Sequence, residues 1–240
     1  MKLTEFEALS FDCYGTLIDW ETGISGFLTW WAAQQGRHVD KEELLVLYAK
    51  YETQAEAQHP AALYPNILAA ALQGLAEHLG LEASPDDLAQ FGASVPDWPE
   101  FPDSSAALSM LQKSRKLIVL SNVDRQSFAA SSARLGIQFD SVITAQDVGC
   151  YKPNKNNFDA LRSRALELGV APGKLLHVAQ SLFHDHVPAK AAGFSTVWIN
   201  RRHNRPGWGA TLEPQEPVRP DFVFTSVKEF AQAITATNHS

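Results

Sequence analysis

Asp12 closes the apolar run Ala8-Leu9-Ser10-Phe11 and is followed by Cys13-Tyr14-Gly15-Thr16-Leu17. The run reads as a buried strand, and the Gly beyond it as a sharp turn. Open α/β sheets bind ligands outside the carboxyl ends of their strands. A carboxylate there can attack an electrophilic carbon or phosphorus, giving an ester or acyl phosphate that water later cleaves. Asp and Gly are also ordinary turn residues, so this segment alone is ambiguous. Three later segments repeat the arrangement of polar groups at strand ends. Ser121-Asn122 follows Lys116 to Leu120, and Lys152 lies in Gly149-Cys150-Tyr151-Lys152-Pro153. Gln180-Ser181 follows Leu175 to Val178, with Asp185 just beyond.

In this order the four segments resemble the haloacid dehalogenase superfamily, whose motifs are a nucleophilic Asp, a Ser/Thr, a Lys and a terminal acid. The match spans nearly the whole chain. The resemblance implies that Asp12 is the nucleophile, that Lys152 sits against it and keeps it ionised, and that Asp185 orients or activates the hydrolytic water. Ser121 and Asn122 would bind a substrate carboxylate or leaving halide, with Tyr14, Thr16 and Ser181 also at the substrate. In the phosphatases of this superfamily the second residue after the nucleophile is an Asp that protonates an alkoxide leaving group. Here it is Tyr14, a phenol and a poor acid at neutral pH. Halide needs no proton to leave, and Asp-x-Tyr-Gly-Thr is similar to the type II (S)-2-haloacid dehalogenases. Metal-dependent relatives carry an Asp where this chain has Gln180, and Mg²⁺ prefers anionic oxygen. The expected reaction is therefore metal-independent and uses no cofactor, with a 2-haloacid as substrate and a 2-hydroxy acid as product. His184 and His186 flank Asp185 and raise the question of a transition-metal site, but alternating residues on a loop are expected to be surface or packing groups.

The resemblance also frays. Dehalogenases of this type carry an Arg on a cap helix like that of Leu44 to Glu56. This chain has none there, and Lys50 is the expected replacement, although an ammonium lacks the planar fork of a guanidinium. Phe158 and Ala179 replace a Tyr and a Ser of the family. Two alternatives stay open: an Mg²⁺-dependent phosphatase acting on a small phosphomonoester, and a non-catalytic binding protein that keeps the fold.

The elements that position these residues follow from periodicity. Apolar residues at helical spacing run with interruptions from Trp20 to about Phe91, and the Pro-rich stretch Pro96 to Pro102 closes this block as a linker. From Ser104 onward helix and strand alternate, which predicts strands at 116–120, 141–144, 175–178, 196–199 and 222–224. The expected fold class is α/β, a doubly wound parallel Rossmann-like core sheet with a helical cap inserted after the first strand. Residues 1–16 and 101–240 would form the core, and 17–100 the cap. At 240 residues the chain can bury a sizeable core. Its two cysteines give no disulfide framework, and no charged-then-apolar leader precedes Phe6. A cytoplasmic protein is expected. A net charge of −7 without a basic cluster argues against a nucleic-acid partner, and no apolar run approaches the roughly 18 residues of a membrane span. Arg201-Arg202-His203-Asn204-Arg205 reads as a solvated loop. The family resemblance suggests a homodimer. Trp20, Trp30, Trp31, Tyr64 and Trp98 are candidates for an apolar pocket wall.

Overall fold

The computed structural model describes residues 1–236. Six strands form one parallel sheet: β1 (Ala8–Phe11), β2 (Lys116–Ser121), β3 (Ser141–Thr144), β4 (Leu175–Ala179), β5 (Ser195–Ile199) and β6 (Phe222–Phe224). Their order is β3-β2-β1-β4-β5-β6. The chain moves outward from β1 in both directions, so the strand order reverses there. That reversal opens a crevice at the carboxyl end of β1, where doubly wound sheets hold ligands. β1 is buried along its whole length, as a central parallel strand covered on both faces must be.

Alternation along the strands sends side chains to two separate apolar layers. Leu9, Phe11, Leu117 and Val119 join one layer, and Ala8, Ile118, Leu120 and Leu175 the other. The second layer is closed by Phe158 and Leu161 of α8 (Lys155–Glu167). Ser10, Asp12 and His177 share the parity of that face, so the polar site grows directly out of the second layer.

Four helices are inserted between β1 and the rest of the core: α1 (Trp20–Gln34), α2 (Lys41–Gln58), α3 (Tyr64–Leu79) and α4 (Pro85–Gly92). Each start has a chemical cause. Asp19 and Asp40 accept backbone N–H bonds at the starts of α1 and α2, Pro65 lies in the first turn of α3, and Ser84 and Asp87 form a capping box at α4. The two chain crossings between this block and the core are tied together: Asp19 N–H bonds Pro99 O (2.7 Å), and Phe101 N–H bonds Leu17 O (3.0 Å). The remaining helices are α5 (Ser104–Leu111), α6 (Arg125–Leu135), α7 (Ala145–Val148), α9 (Val187–Ala191) and α10 (Val227–Ala236). No helix of the described residues is long and apolar enough to cross a membrane.

Three sequence expectations need correction. The segment after β4 is not an irregular loop but a π-helical turn, Leu182–His186, in which His184, Asp185 and His186 are all buried. Arg201 and Arg202 are not solvated: Arg201 pairs with Asp103 at 2.7 Å and Arg202 with Glu21 at 2.6 Å, fixing this loop to the ends of α1 and the second crossing. Of the aromatic residues proposed as pocket wall, Trp30 is exposed, and Trp31 and Trp98 lie in the core. Helical phase explains the split between Trp30 and Trp31, since neighbours on a helix point about 100° apart.

Trp98 locks the second crossing against α1. A Cβ added at Gly23 would lie 2.1 Å from Trp98 Cδ1 and 2.5 Å from Cγ. The indole is 1% exposed and cannot retreat into solvent. Gly23→Ala is therefore expected to lower unfolding stability by about 1–3 kcal/mol through overpacking, measured as a reduced urea midpoint at constant m-value. An unchanged midpoint would mean that Trp98 is not held against α1.

Candidate active site

Asp12 leaves β1 directly after Phe11, and its N–H bonds Val178 O of β4 at 3.0 Å. Gly15 then takes a left-handed conformation (φ +87°), and a Cβ there would meet Trp20 Nε1 at 2.9 Å. Only glycine suits such a position. The turn brings Thr16 back onto Asp12: its hydroxyl donates to Asp12 Oδ2 (2.7 Å) and accepts from Gln180 N–H (2.9 Å). Thr16 is thus placed to orient the Asp12 carboxylate.

Lys152 is 1% exposed and reaches β1 from the loop before α8. Its ammonium donates to Asp12 Oδ1 (2.8 Å), Asp185 Oδ1 (2.7 Å) and Leu120 O (3.1 Å). Asp185 also accepts from His177 Nε2 at 3.0 Å, while His177 Nδ1 lies 2.9 Å from Ser10 Oγ. Phe158, where the family resemblance leads one to expect a Tyr, packs edge-on against this imidazole with ring centres 5.7 Å apart. A line of hydrogen bonds thus runs from Ser10 through His177 and Asp185 to Lys152 and Asp12.

The two carboxylates respond differently. Burial acts to raise Asp185, but the Lys152 charge and the hydrogen bond from His177 overcome it and hold Asp185 well below the ordinary carboxylate range. Burial pushes Asp12 up against the pull of Lys152, and the negative charge of Asp185 adds to the rise. Asp12 is therefore the more basic of the pair, the property that suits a carboxylate to nucleophilic attack. Lys152 would be lowered by burial alone, yet Asp12 and Asp185 raise it, so it stays charged.

The space above Asp12 is lined on the core side by Asn122, Lys152, Ser181, His184 and Asp185. On the cap side it is lined by Trp20, Glu52, Glu56 and Tyr64, with Tyr14 between. Its volume is about 20 Å³, room for a single water. Tyr14 presents its ring here, while its hydroxyl turns away to Ser131 Oγ (2.8 Å). Burial pushes that phenol well above its ordinary pKa, so it is no proton donor at neutral pH. Asn122 bridges cap and core: Nδ2 donates to Glu56 Oε1 (3.2 Å) and Lys152 O (3.1 Å), and Oδ1 accepts from Lys152 N–H (2.6 Å). Ser181 lines the space, but its hydroxyl is engaged by His184 N–H (3.0 Å) and lies 2.9 Å from Thr211 Oγ1. Ser121, one residue short of the rim, is buried with its hydroxyl unpartnered and does not line the space.

Lys50 is displaced from the role expected of it. It is exposed on α2, with its ammonium 5.0 Å from the centre of the Tyr51 ring. Tyr48 and Glu52 face inward, and two residues of helix turn a side chain about 200° from either of them. Glu52 and Glu56, which the sequence reading passed over, occupy the inward face instead. A visible signal existed: they continue the stripe of Leu45, Tyr48 and Ala49 at spacings of three and four residues. Glu52 Oε1 accepts from Tyr48 OH (2.7 Å) and Tyr64 OH (2.6 Å). Burial pushes Glu52 up to about 7 against these two bonds. Burial and then the Glu52 charge push Glu56 well above the carboxylate range, against Lys152 and Asn122.

The donor set does not suit a hard divalent cation. Lys152 already bridges Asp12 and Asp185, Gln180 offers a neutral amide, and the described residues contain no group of three or more His, Cys, Asp or Glu that could hold a metal.

Residues 6–193 match the family model described as haloacid dehalogenase-like hydrolase. The (S)-2-haloacid dehalogenase H-109 of Pseudomonas putida is 25% identical over 210 residues, covering 82% of this chain and 86% of the relative. The (S)-2-haloacid dehalogenase of Pseudomonas sp. (strain YL) is 26% identical over 214 residues, covering 82% and 84%. Among solved structures, the L-2-haloacid dehalogenase from Xanthobacter autotrophicus with chloropropionic acid covalently bound superposes with a TM-score of 0.75 at 22% identity, over 96% of this chain and 98% of that one.

The buried titratable groups have opposed effects on stability. Burial lowers His184 and His186 to about 4. As pH falls from about 6.5 towards 4, the unfolded chain takes up these protons first and stability is lost. Glu52 works the other way: it binds its proton in the folded state between pH 4.5 and about 7, so its contribution is lost as pH rises through that window. Glu52→Gln removes this term. Its unfolding free energy relative to wild type is expected to rise by about 1.4 kcal/mol per pH unit across the window, read from urea denaturation at several pH values. A parallel pair of curves would mean that Glu52 is ionised in the folded protein throughout.

Proposed function

This chain belongs to the haloacid dehalogenase-like hydrolases, and from that premise we propose that it cleaves carbon–halogen bonds hydrolytically through a covalent ester on Asp12. The 2-haloacids named in its relatives are the reference compounds for this chemistry, and would yield 2-hydroxy acids. An oxygen of Asp12 attacks the halogen-bearing carbon from the side opposite the halide. A C–O bond forms as the C–X bond breaks, and halide departs with the bonding pair. Water, oriented by Asp185, then attacks the ester carbonyl of Asp12. The alcohol leaves, the Asp12 carboxylate is regenerated, and one proton is released per halide. Lys152 supports both steps by balancing charge next to two carboxylates.

The observation that carries this reading is the pairing of an Asp12 held by Lys152 and Thr16 with a Tyr14 hydroxyl turned towards Ser131. The position that serves as leaving-group acid in the phosphatases offers no proton, which halide does not need and an alkoxide does. A non-catalytic role is opposed by the burial of Asp12, Lys152 and Asp185, an ion cluster costly to hold without use.

Asp12→Asn is expected to reduce halide release from chloroacetate and 2-chloropropionate by more than about a thousandfold. In a single turnover in H₂¹⁸O, with wild-type enzyme in excess over substrate, the label should enter the Asp12 carboxylate and not the product. Label found first in the product would exclude the ester and leave direct attack by water.

A further inference from the structure

The cap half of the cavity has the wrong charge for a substrate carboxylate. Lys152 is the one cation lining the space among the described residues. An ammonium has three N–H donors, and here they go to Asp12, Asp185 and Leu120 O. None remains for an incoming anion. Arg201 and Arg202 offer no substitute. They line a separate pocket with Gly15 and Gln180, and their guanidinium groups are bound by Asp103, Thr16 O, Glu21 and Glu42.

A cation would meet the opposite conditions. Glu52 and Glu56 stand one helical turn apart on α2, and each keeps Oε2 without a protein partner, since all their hydrogen bonds fall on Oε1. Two other groups of the cavity are unsatisfied as well. Asp185 Oδ2 and His184 Nε2 have no partner, although these residues are only 1% and 6% exposed. Leaving a buried polar atom unpaired is costly, and an N–H donor in the space would satisfy Asp185 Oδ2. Trp20 and Tyr64 supply aromatic walls, whose faces attract ammonium groups. Burial raises the pKa of Glu56 and of Glu52, and an arriving cation acts the other way and favours their ionised forms.

We propose that the cap half of this cavity binds a protonated amine, so that the substrate is a short halogenated amine, or another halogen compound bearing an ammonium group, rather than a simple haloacid. The reaction of that substrate rests on the displacement at Asp12 proposed above, whereas its binding does not. Calorimetric titration of wild-type protein with 2-aminoethanol and with glycolate compares the two charge types on one carbon skeleton, both being hydroxyl products of matched halides. The amine is expected to bind at least about tenfold more tightly. The double substitution Glu52→Gln with Glu56→Gln should cost that amine about tenfold or more, without weakening glycolate. Equal or tighter binding of glycolate by wild type overturns the proposal, whatever the fate of the variant. Undiminished amine binding by a folded double variant also overturns it. Fluoride release from 2-fluoroethylamine and from fluoroacetate separates the two readings. Amine preference with no fluoride from either compound upholds the amine site and removes the displacement. Fluoride from fluoroacetate with glycolate as the tighter ligand does the reverse.

Discussion

One ammonium group organises this protein. Lys152 reaches the carboxyl end of β1 from outside the sheet and divides its three donors among Asp12, Asp185 and the backbone of β2. Two carboxylates that close could not both remain ionised in a buried space without it. The ion cluster therefore constrains three segments at once: the turn after β1, the loop before α8 and the π-helical turn after β4. Replacing Lys152 by an apolar residue would leave two unpaired buried charges, a change that typically costs about 3–5 kcal/mol. Stability and chemistry are coupled here because the cation that allows the cluster to be buried is also the one that balances the nucleophile.

The π-helical turn shows how local backbone geometry serves that cluster. A turn of π-helix widens the spacing between successive side chains, and such turns occur often at functional sites. Here Ser181 caps it by accepting from His184 N–H, and Asp185 projects from it to meet Lys152 and His177. His184 and His186 flank Asp185, and both are driven inward: His186 Nε2 lies 3.0 Å from Ala179 O, and His184 faces the cavity. Their burial as uncharged rings makes the turn sensitive to acid, whereas Glu52 and Glu56, raised by burial, favour the folded protein as pH falls and oppose that loss.

Much of the core was legible in the sequence because its signals are local. The run Ala8 to Phe11, the alternation of helix and strand after Ser104, and the glycine at position 15 each point to their element without reference to the rest of the chain. Asp12, Lys152 and Asp185 could be picked out because their residue types and order resemble a known set of motifs. The cap resisted for a physical reason. Which of Lys50, Glu52 and Glu56 faces inward depends on the phase of α2, and searching that helix for a cation favoured the residue on its outer side. His177 was missed because it lies within the apolar strand β4, where its polar role depends on Ser10 one strand away and on Asp185 eight residues later. The segment Arg201 to Arg205 looked solvated because its partners, Asp103, Glu21 and Glu42, are remote in sequence.

Core and cap therefore carry different kinds of information. Asp12, Lys152 and Thr16 all come from core segments and are held by direct contacts with one another. Helices α1, α2 and α3 line the other side of the cavity, and Asn122 links the two halves, bonded at once to Glu56 and to the backbone of Lys152. None of the hydrogen bonds that Asp12, Lys152 and Asp185 make to one another involves a side chain of α2. Resemblance carried by the core motifs accordingly speaks to the bond that is broken, while the ammonium site proposed above rests on two glutamates of a helix that those motifs do not include.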